Sequence, residues 1–137
     1  MNSSELKTFL DQQVQTFNRH EFIAGDPIEI PHRFNRKEDI EIAGFLAATI
    51  AWGQRKNIIK SAHQLMNWMD SSPFDFVTNA TKPDLQPFYK FVYRTFNGND
   101  CLFFIEALQN IYLHHGGLEH VLTVGYLNDG TIKSALE

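Results

Sequence analysis

The sequence predicts an all-α fold, a compact multi-helix domain in which residues 1–137 form one unit. Apolar residues recur at spacings of three and four along most of the chain, which is the period of a helix packed on one side. Most of these segments are bounded by Ser, Asn, Asp, Gly or Pro, the residues that begin and end helices. A length of 137 residues with 43% hydrophobic content is typical of a domain with one buried core.

The first helix is expected to begin at Ser3 or Ser4 and to end near Arg19. It carries a stripe at helical spacing that we expect to face the core. The stripe consists of Leu6, Phe9, Leu10, Gln13, Val14 and Phe17. Residues 20–36 contain one glycine and two prolines, and residues before proline favour extended backbone. This segment is therefore expected to be an ordered loop.

The central feature is a pair of helices joined by a short corner. We expect the first to begin at Glu38 with Asn35 as its cap, because acidic residues in a first turn favour the helix dipole. Its several alanines allow a neighbouring helix to approach closely, so it should be the most buried element. Gly53 ends it, and a second helix is expected from about Arg55 to Asp70.

Shorter helices are expected in the second half of the chain. Pro73 opens one of them. Residues 85–96 are expected to form another, although the segment FYKFVY also fits a strand. Asp100 is expected to cap a helix ending near His114, and residues 118–127 form the next. The final residues, TIKSALE, resemble the start of a further helix, so the chain is expected to be the N-terminal part of a longer architecture.

Composition restricts the compartment and the partners. Cys101 is the single cysteine, so no intrachain disulfide forms, and a reducing, cytoplasmic location is expected. The longest apolar run, Ile42 to Trp52, is too short to span a bilayer, so no membrane partner is expected. Acids and bases balance over residues 1–99, at eleven each, and residues 100–137 hold five acids against one base. The chain is not basic overall, but a balanced region can still present a positive face.

The corner from Trp52 to Lys56 is the most specific candidate for binding. Backbone amides at the start of a helix lack acceptors and can bind an anion such as phosphate. Arg55 and Lys56 would add positive charge, and Gln54 adds an amide side chain. The alternative is a solvated corner with Trp52 in the core.

A second basic run, His32, Arg33, Arg36 and Lys37, precedes the first helix of the pair. If the loop folds back over the corner, the two clusters would form one phosphate-contacting patch. The alternative is that these side chains pair with neighbouring acids. Those acids are Glu29, Glu38 and Asp39. The candidate nucleic-acid-binding residues are Arg33, Arg36, Lys37, Gln54, Arg55 and Lys56.

No catalytic, metal or cofactor site can be assigned from the residues. His114, His115 and His120 lack the spacing of a zinc motif, so we expect a helix end carrying positive charge. Cys101 is expected to be a small buried residue. Asp26 or Asp39 as a general acid or base has no identified partner group, so the catalytic residues are unknown. We expect no cofactor and no metal.

Four sequence blocks carry a family resemblance. DPIEIPHRF, DIEIAGFLAATIAWGQRKNII, SPFDFV and FVYR resemble an uncharacterised bacterial protein family of about twice this length, over roughly residues 26–125. The helix pair also resembles, more distantly, the start of the helix-hairpin-helix DNA glycosylase fold, where a buried helix ends in an Ile-Leu-Ser-Gln type corner. The likeness places Gln54 and Arg55 near the glycosylase glutamine and its following polar residue. The DNA-gripping hairpin and its catalytic lysine or aspartate have no counterpart, which favours a non-enzymatic role for this chain.

Two functional hypotheses follow. The first is a DNA-glycosylase-like helical domain that binds DNA or RNA weakly through the candidate residues without a complete catalytic site. The second is a protein-interaction or self-assembly module, in which an aromatic surface contacts a partner or a second copy of the chain. That surface would consist of Phe88, Tyr89, Phe91 and Tyr93.

Overall fold

Seven α-helices account for most of the chain in the computed structural model, which describes residues 1–137. They are α1 (Ser3–Phe17), α2 (Lys37–Thr49), α3 (Arg55–Trp68), α4 (Pro73–Asn79), α5 (Gly98–His114), α6 (Leu118–Asp129) and α7 (Ile132–Leu136). Short 3₁₀ turns lie at His20–Phe22, Pro27–Glu29, Pro31–Arg33 and Gln86–Lys90. Two antiparallel strands, β1 (Val92–Tyr93) and β2 (Phe96–Asn97), form the one small sheet. The helical content is 71%, so the predicted all-α fold class is confirmed.

The core lies between α2, α3, α4 and α5. Each of α2, α3 and α5 contributes four or five buried residues to the core. Helix α2 is therefore about as buried as α3 and α5. In α2, Ile42 and Leu46 are buried, whereas Ile40 is 39% exposed. The helical hairpin of α2 and α3 is confirmed. Its two helices end slightly earlier than expected, at Thr49 and Trp68.

Aromatic side chains fill the space between α3, α5 and the sheet. Phe88 and Phe91 are fully buried, and both meet the ring of Trp68 edge to face, at centroid distances of 5.4 and 6.2 Å. The helix expected over residues 85–96 is therefore wrong beyond Lys90. Burial alternates through Phe91, Val92 and Tyr93, which is the period of a strand. Arg94 then takes a positive φ of 54° as the chain turns into β2.

Helix α1 does not pack as expected. Its N-cap is Asn2, in a capping box with Glu5, and no residue of the helix is buried. The apolar residues of the predicted stripe are 46–57% exposed. The prediction that this stripe faces the core is wrong, because helical periodicity shows that a helix is amphipathic but not which surface covers it.

The capping residues differ from two predictions. Arg36, not Asn35, is the N-cap of α2, and it has no side-chain capping bond. The Asn97 side chain caps α5, with Asp100 at the third helical position completing a capping box. The predicted cap lies one residue from the observed cap of α2 and three residues from that of α5, because several adjacent polar residues can serve as caps.

The segment from residue 20 to residue 36 is ordered, as expected, and contains three 3₁₀ turns. Ile30 is fully buried and holds the segment against the core. Pro31 packs against Gly44 of α2, with its Cβ 3.6 Å from the position that a Cβ of residue 44 would occupy. None of the helices combines the length and apolar character needed to cross a bilayer.

Candidate functional site

The corner between α2 and α3 presents a run of backbone amides without acceptors. Gln54 is the N-cap of α3 and makes no side-chain capping bond. The amides of residues 53–56 donate no hydrogen bond within the protein, whereas the next two amides, of Asn57 and Ile58, both donate to the carbonyl oxygen of Gln54. Residues 53–56 are all exposed. These donors are therefore accessible to an anion from solution.

The sheet fixes the position of this corner. The hydroxyl of Tyr93 donates to the carbonyl oxygen of Trp52 at 2.6 Å, and the two rings meet edge to face at 5.6 Å. Gly53 has a φ of 109°. The Tyr93 hydroxyl and Nη1 of Arg94 each lie 2.9 Å from the position of a Cβ at residue 53. Only glycine fits this conformation without displacing a neighbour.

Three cations lie beside the corner. Lys56 and Lys60 are one turn apart on α3, and Arg94 extends from the turn of the β-hairpin against Gly53. All three are exposed, and no carboxylate lies within ion-pair distance of any of them. Lys60 and Arg94 line a groove of about 440 Å³ whose remaining lining contains no acid. Like charges at this helical spacing repel each other, and a bound anion would relieve that repulsion.

Of the residues predicted at the corner, Arg55 is the one with a compensated charge. Its Nε lies 3.8 Å from Oδ2 of Asp26, and its guanidinium group stands 5.5 Å from the centroid of the Phe22 ring. Gln54 and Lys56 are exposed and make no side-chain hydrogen bond or ion pair. The structure therefore brings Gln54, Arg55 and Lys56 together, as predicted, and leaves the cation of Lys56 unpaired.

Arg36 and Lys37 lie far from the corner. They stand at the N-terminal end of α2, whose 13 residues span about 20 Å. Arg36 pairs with Glu38 at 3.4 Å and with Asp75 of α4 at 3.0 Å. Lys37 pairs with Glu41 at 3.9 Å and also with Glu119 of α6. The single patch that would join both basic clusters does not form.

Arg33 lies in the loop that folds over the corner. Its Nη2 is 3.7 Å from Oε1 of Glu29, which is also 3.1 Å from Nε2 of His63. A hydrogen bond from the amide of Gly25 lowers the pKa of Glu29, and the contact with His63 lowers it further. The loop thus approaches α3 through acids, here and at Asp26. The structure shows the alternative stated above, in which these side chains pair with acids. Arg33 pairs with Glu29 and Arg36 pairs with Glu38, whereas Asp39 forms no ion pair.

The aromatic surface proposed for self-association is not a surface. Phe88, Phe91 and Tyr93 are 0%, 1% and 7% exposed, and they belong to the core. Of the four residues, Tyr89 alone is open to solvent, at 57%. This prediction is wrong because the segment is a 3₁₀ turn followed by a strand. The rings of Phe88 and Phe91 pack against Trp68 of α3, and the ring of Tyr93 packs against Trp52.

The histidines and the cysteine are placed as follows. His114, His115 and His120 line a shallow groove at the end of α5. No three His, Cys, Asp or Glu side chains are grouped as a metal ion would require.

Cys101 is buried, as predicted, and burial raises the pKa of its thiol to about 12. A thiol held protonated in this way is a poor nucleophile.

Sequence reasoning missed two residues of this site, Lys60 and Arg94. Lys60 follows Lys56 at a spacing of four, which places both on one face of the predicted helix, so this signal was available. Arg94 carries no such signal. Its place beside Gly53 depends on the β-hairpin, whereas the sequence pattern predicts a helix over residues 85–96.

Comparison with known proteins gives one finding. A family model described as "Protein of unknown function (DUF2400)" matches residues 26–137, which excludes α1. Neither the curated proteins nor the solved structures give a match. None of these comparisons shows the resemblance to helix-hairpin-helix glycosylases. A function has to be argued from the geometry.

Proposed function

Because the chain belongs to this family of unknown function, we propose from its geometry that it binds the phosphate groups of nucleic acid weakly at the corner surface. The corner surface consists of residues 53–56 with Lys60 and Arg94. The observation that carries the proposal is the coincidence of four amides without acceptors and three cations without carboxylate partners. Either feature alone is common on protein surfaces.

The amides supply directional contacts. Helix α3 has 14 residues, so its dipole places partial positive charge at the end where these donors lie. A phosphate oxygen at this position would accept hydrogen bonds that the protein leaves open. Amide contacts of this kind orient a backbone without reading bases.

The cations supply attraction at longer range. With three cations contacting phosphates, the logarithm of the duplex binding constant should fall with the logarithm of salt concentration with a slope of about −2 to −3. The net charge of −4, whose acidic excess lies in residues 100–137, opposes binding elsewhere on the surface. Binding is therefore expected to be weak, insensitive to base sequence and steeply dependent on salt.

Arg33, Arg36 and Lys37 contribute little in this proposal. Each is already paired with at least one carboxylate, and a phosphate would have to replace that partner. Arg55 is intermediate, since it adjoins the free amides but pairs with Asp26. No reaction is proposed.

The test is a fluorescence-anisotropy titration of labelled duplex DNA and single-stranded RNA at several salt concentrations. Wild-type protein should bind at low salt with the slope given above. The double variant Lys56→Glu with Lys60→Glu should lose binding by roughly tenfold or more. The matched control is Lys82→Glu with Lys90→Glu, which makes the same charge change at two exposed, unpaired lysines outside the corner surface. Absence of binding at low salt, or an equal loss in the control, overturns the proposal.

A further inference from the structure

We propose that two copies of this chain associate by exchanging α1, each copy placing the apolar stripe of its α1 in a groove of the other. This inference goes beyond the proposed nucleic-acid binding and does not depend on it. The stripe consists of Leu6, Phe9, Leu10, Val14 and Phe17. The groove lies between α2, α6 and α7.

Helix α1 has an apolar face without a partner. Its stripe residues are about half exposed, and no residue of the helix is buried. A helix of 15 residues is marginal in water unless its apolar face packs on something. Phe17 meets Phe22 edge to face at 5.8 Å, which leaves the rest of the stripe open.

The groove offers an apolar surface of similar extent. It has a volume of about 730 Å³, and large side chains from three helices line it. They are Ile40, Phe45, Leu122, Tyr126, Ile132 and Leu136. All of these are at least partly open to solvent, and the charged groups among the lining residues are limited to Glu41 and Glu119. A contiguous apolar surface of this kind marks an interaction site.

Buried area decides which arrangement of two copies is stable. Five half-exposed large side chains present on the order of 400 Å² of apolar surface, and the six of the groove present about as much. Pairing one α1 with another would bury roughly 800 Å² in total, which is below the range of stable interfaces. Two helices in two grooves would bury about 1,600 Å², the standard size. Exchange also gives a symmetric and closed dimer.

The polar face of α1 argues against a membrane surface as the partner. Within the helix, Glu5 and Asp11 stand against Lys7, which forms an ion pair with Asp11 at 2.6 Å. Helices that bind lipid surfaces carry an excess of cations on this face. The stripe therefore fits a protein groove better than a lipid headgroup layer.

Sedimentation velocity of the full chain, without nucleic acid, tests the exchange. Wild-type protein should form a concentration-dependent dimer. Leu10→Asp in the stripe and Leu122→Asp in the groove should each raise the dimer dissociation constant by more than about tenfold. Gln15→Asp on the polar face of α1 and Leu127→Asp on α6 outside the groove are the matched controls, and both should dimerise as wild type does. Thermal denaturation should show the same unfolding of the helical core in all four, because each changed residue is exposed. Circular dichroism of the two non-dimerising variants should fall by no more than the 15 residues of α1.

Cross-linking identifies the contact. Leu10→Cys protein mixed with Leu122→Cys protein should form a disulfide-linked dimer under mild oxidation, while the native Cys101 stays unreactive because it is buried. A monomer at all concentrations overturns the proposal, as does a dimer unaffected by either aspartate. So does disulfide formation between two Leu10→Cys chains, or within one chain that carries both cysteines.

Discussion

The hydroxyl of Tyr93 donates a hydrogen bond of 2.6 Å to the carbonyl oxygen of Trp52, 41 residues earlier in the chain. This bond joins the β-hairpin to the corner between α2 and α3. It also fixes Arg94, the next residue, beside the amides of residues 53–56. The cationic character of the corner surface thus depends on a contact between two parts of the chain that are distant in sequence.

Tyr93→Phe should lower the free energy of unfolding by about 1 kcal/mol, because the carbonyl of Trp52 loses its partner in a partly buried position. Urea denaturation measures the change. Tyr89→Phe is the control, since Tyr89 is exposed and its hydroxyl makes no hydrogen bond, so it should be neutral. Equal stabilities for wild type and Tyr93→Phe would contradict the assigned contact.

Gly53→Ala should destabilise the protein by about 1–3 kcal/mol, because alanine at a φ of 109° is strained and its Cβ meets the Tyr93 hydroxyl. Gly25→Ala separates the two causes. Gly25 also has a positive φ, of 80°, but no atom lies within 4 Å of its Cβ position. Thermal denaturation should show a larger loss at residue 53 than at residue 25. If the two losses of stability are equal, the steric contact of the residue 53 Cβ with the Tyr93 hydroxyl contributes nothing to the destabilisation.

Glu29→Gln should reveal a pH-dependent contribution to stability. The pKa of Glu29 is lowered from its ordinary value of 4.5 in the folded protein, first by the Gly25 amide and also by His63. A carboxyl group with a lowered folded pKa stabilises the fold above its unfolded pKa, and this contribution is lost as the pH falls through the folded pKa. The stability difference between wild type and Glu29→Gln should therefore be present at neutral pH and shrink below about pH 4.5.

Urea titrations from pH 3 to pH 7 measure this difference. Glu21→Gln is the control, because Glu21 is an exposed carboxylate without a hydrogen-bond partner. A difference that is constant over the whole range would show that Glu29 acts through packing alone.

Tyr112 should govern stability at alkaline pH. Burial raises its pKa above the ordinary value of 10, and the hydrogen bond of 2.6 Å to Glu41 and the charge of that group raise it further. The neutral phenol is favoured in the fold, so its contribution is complete below pH 10 and is lost as the pH rises beyond that value. Tyr112→Phe should cost about 1–2 kcal/mol at pH 7. Its deficit relative to wild type should narrow above pH 10.

Denaturation between pH 7 and pH 11 provides the measurement, with Tyr89→Phe as control, since Tyr89 is exposed and makes no side-chain hydrogen bond. Absorbance near 295 nm adds an independent readout. The Tyr112 phenol should not ionise in the range where exposed tyrosines do. Ionisation of Tyr112 together with the exposed tyrosines, while the protein is still folded, would contradict the assigned hydrogen bond to Glu41.

The helices of the central hairpin could be predicted from the sequence because their signals are local. Periodicity placed α2 and α3 to within a few residues, and Gly53 marked the corner. The β-hairpin at residues 92–97 could not be predicted with equal success, since the segment FYKFVY fits both the helical and the strand period. Burial of Phe88 and Phe91 against Trp68 decides between them, and that contact is distant in sequence.

The candidate site was only partly predictable for a related reason. The sequence predicts that Arg36 and Lys37 join the corner if the preceding loop folds back over it, but the length of α2 separates them from it. Their partners, Asp75 and Glu119, come from α4 and α6. Arg94 joined the corner through a turn that sequence patterns did not identify. Charge pairing across elements is set by tertiary packing, which local patterns do not encode.

One hydrogen bond between α2 and α4 bears on the order in which the protein assembles. Asp39 accepts from the amide of Phe74 at 2.9 Å, so a carboxylate 35 residues away occupies the place of the local cap that Ser72 does not provide. With seven residues, α4 is too short to persist as an isolated helix. During refolding, α4 should acquire protection from amide exchange only after α2 is in place, and Asp39→Ala should delay that protection by more than it slows α2, whose first turn also contains Asp39.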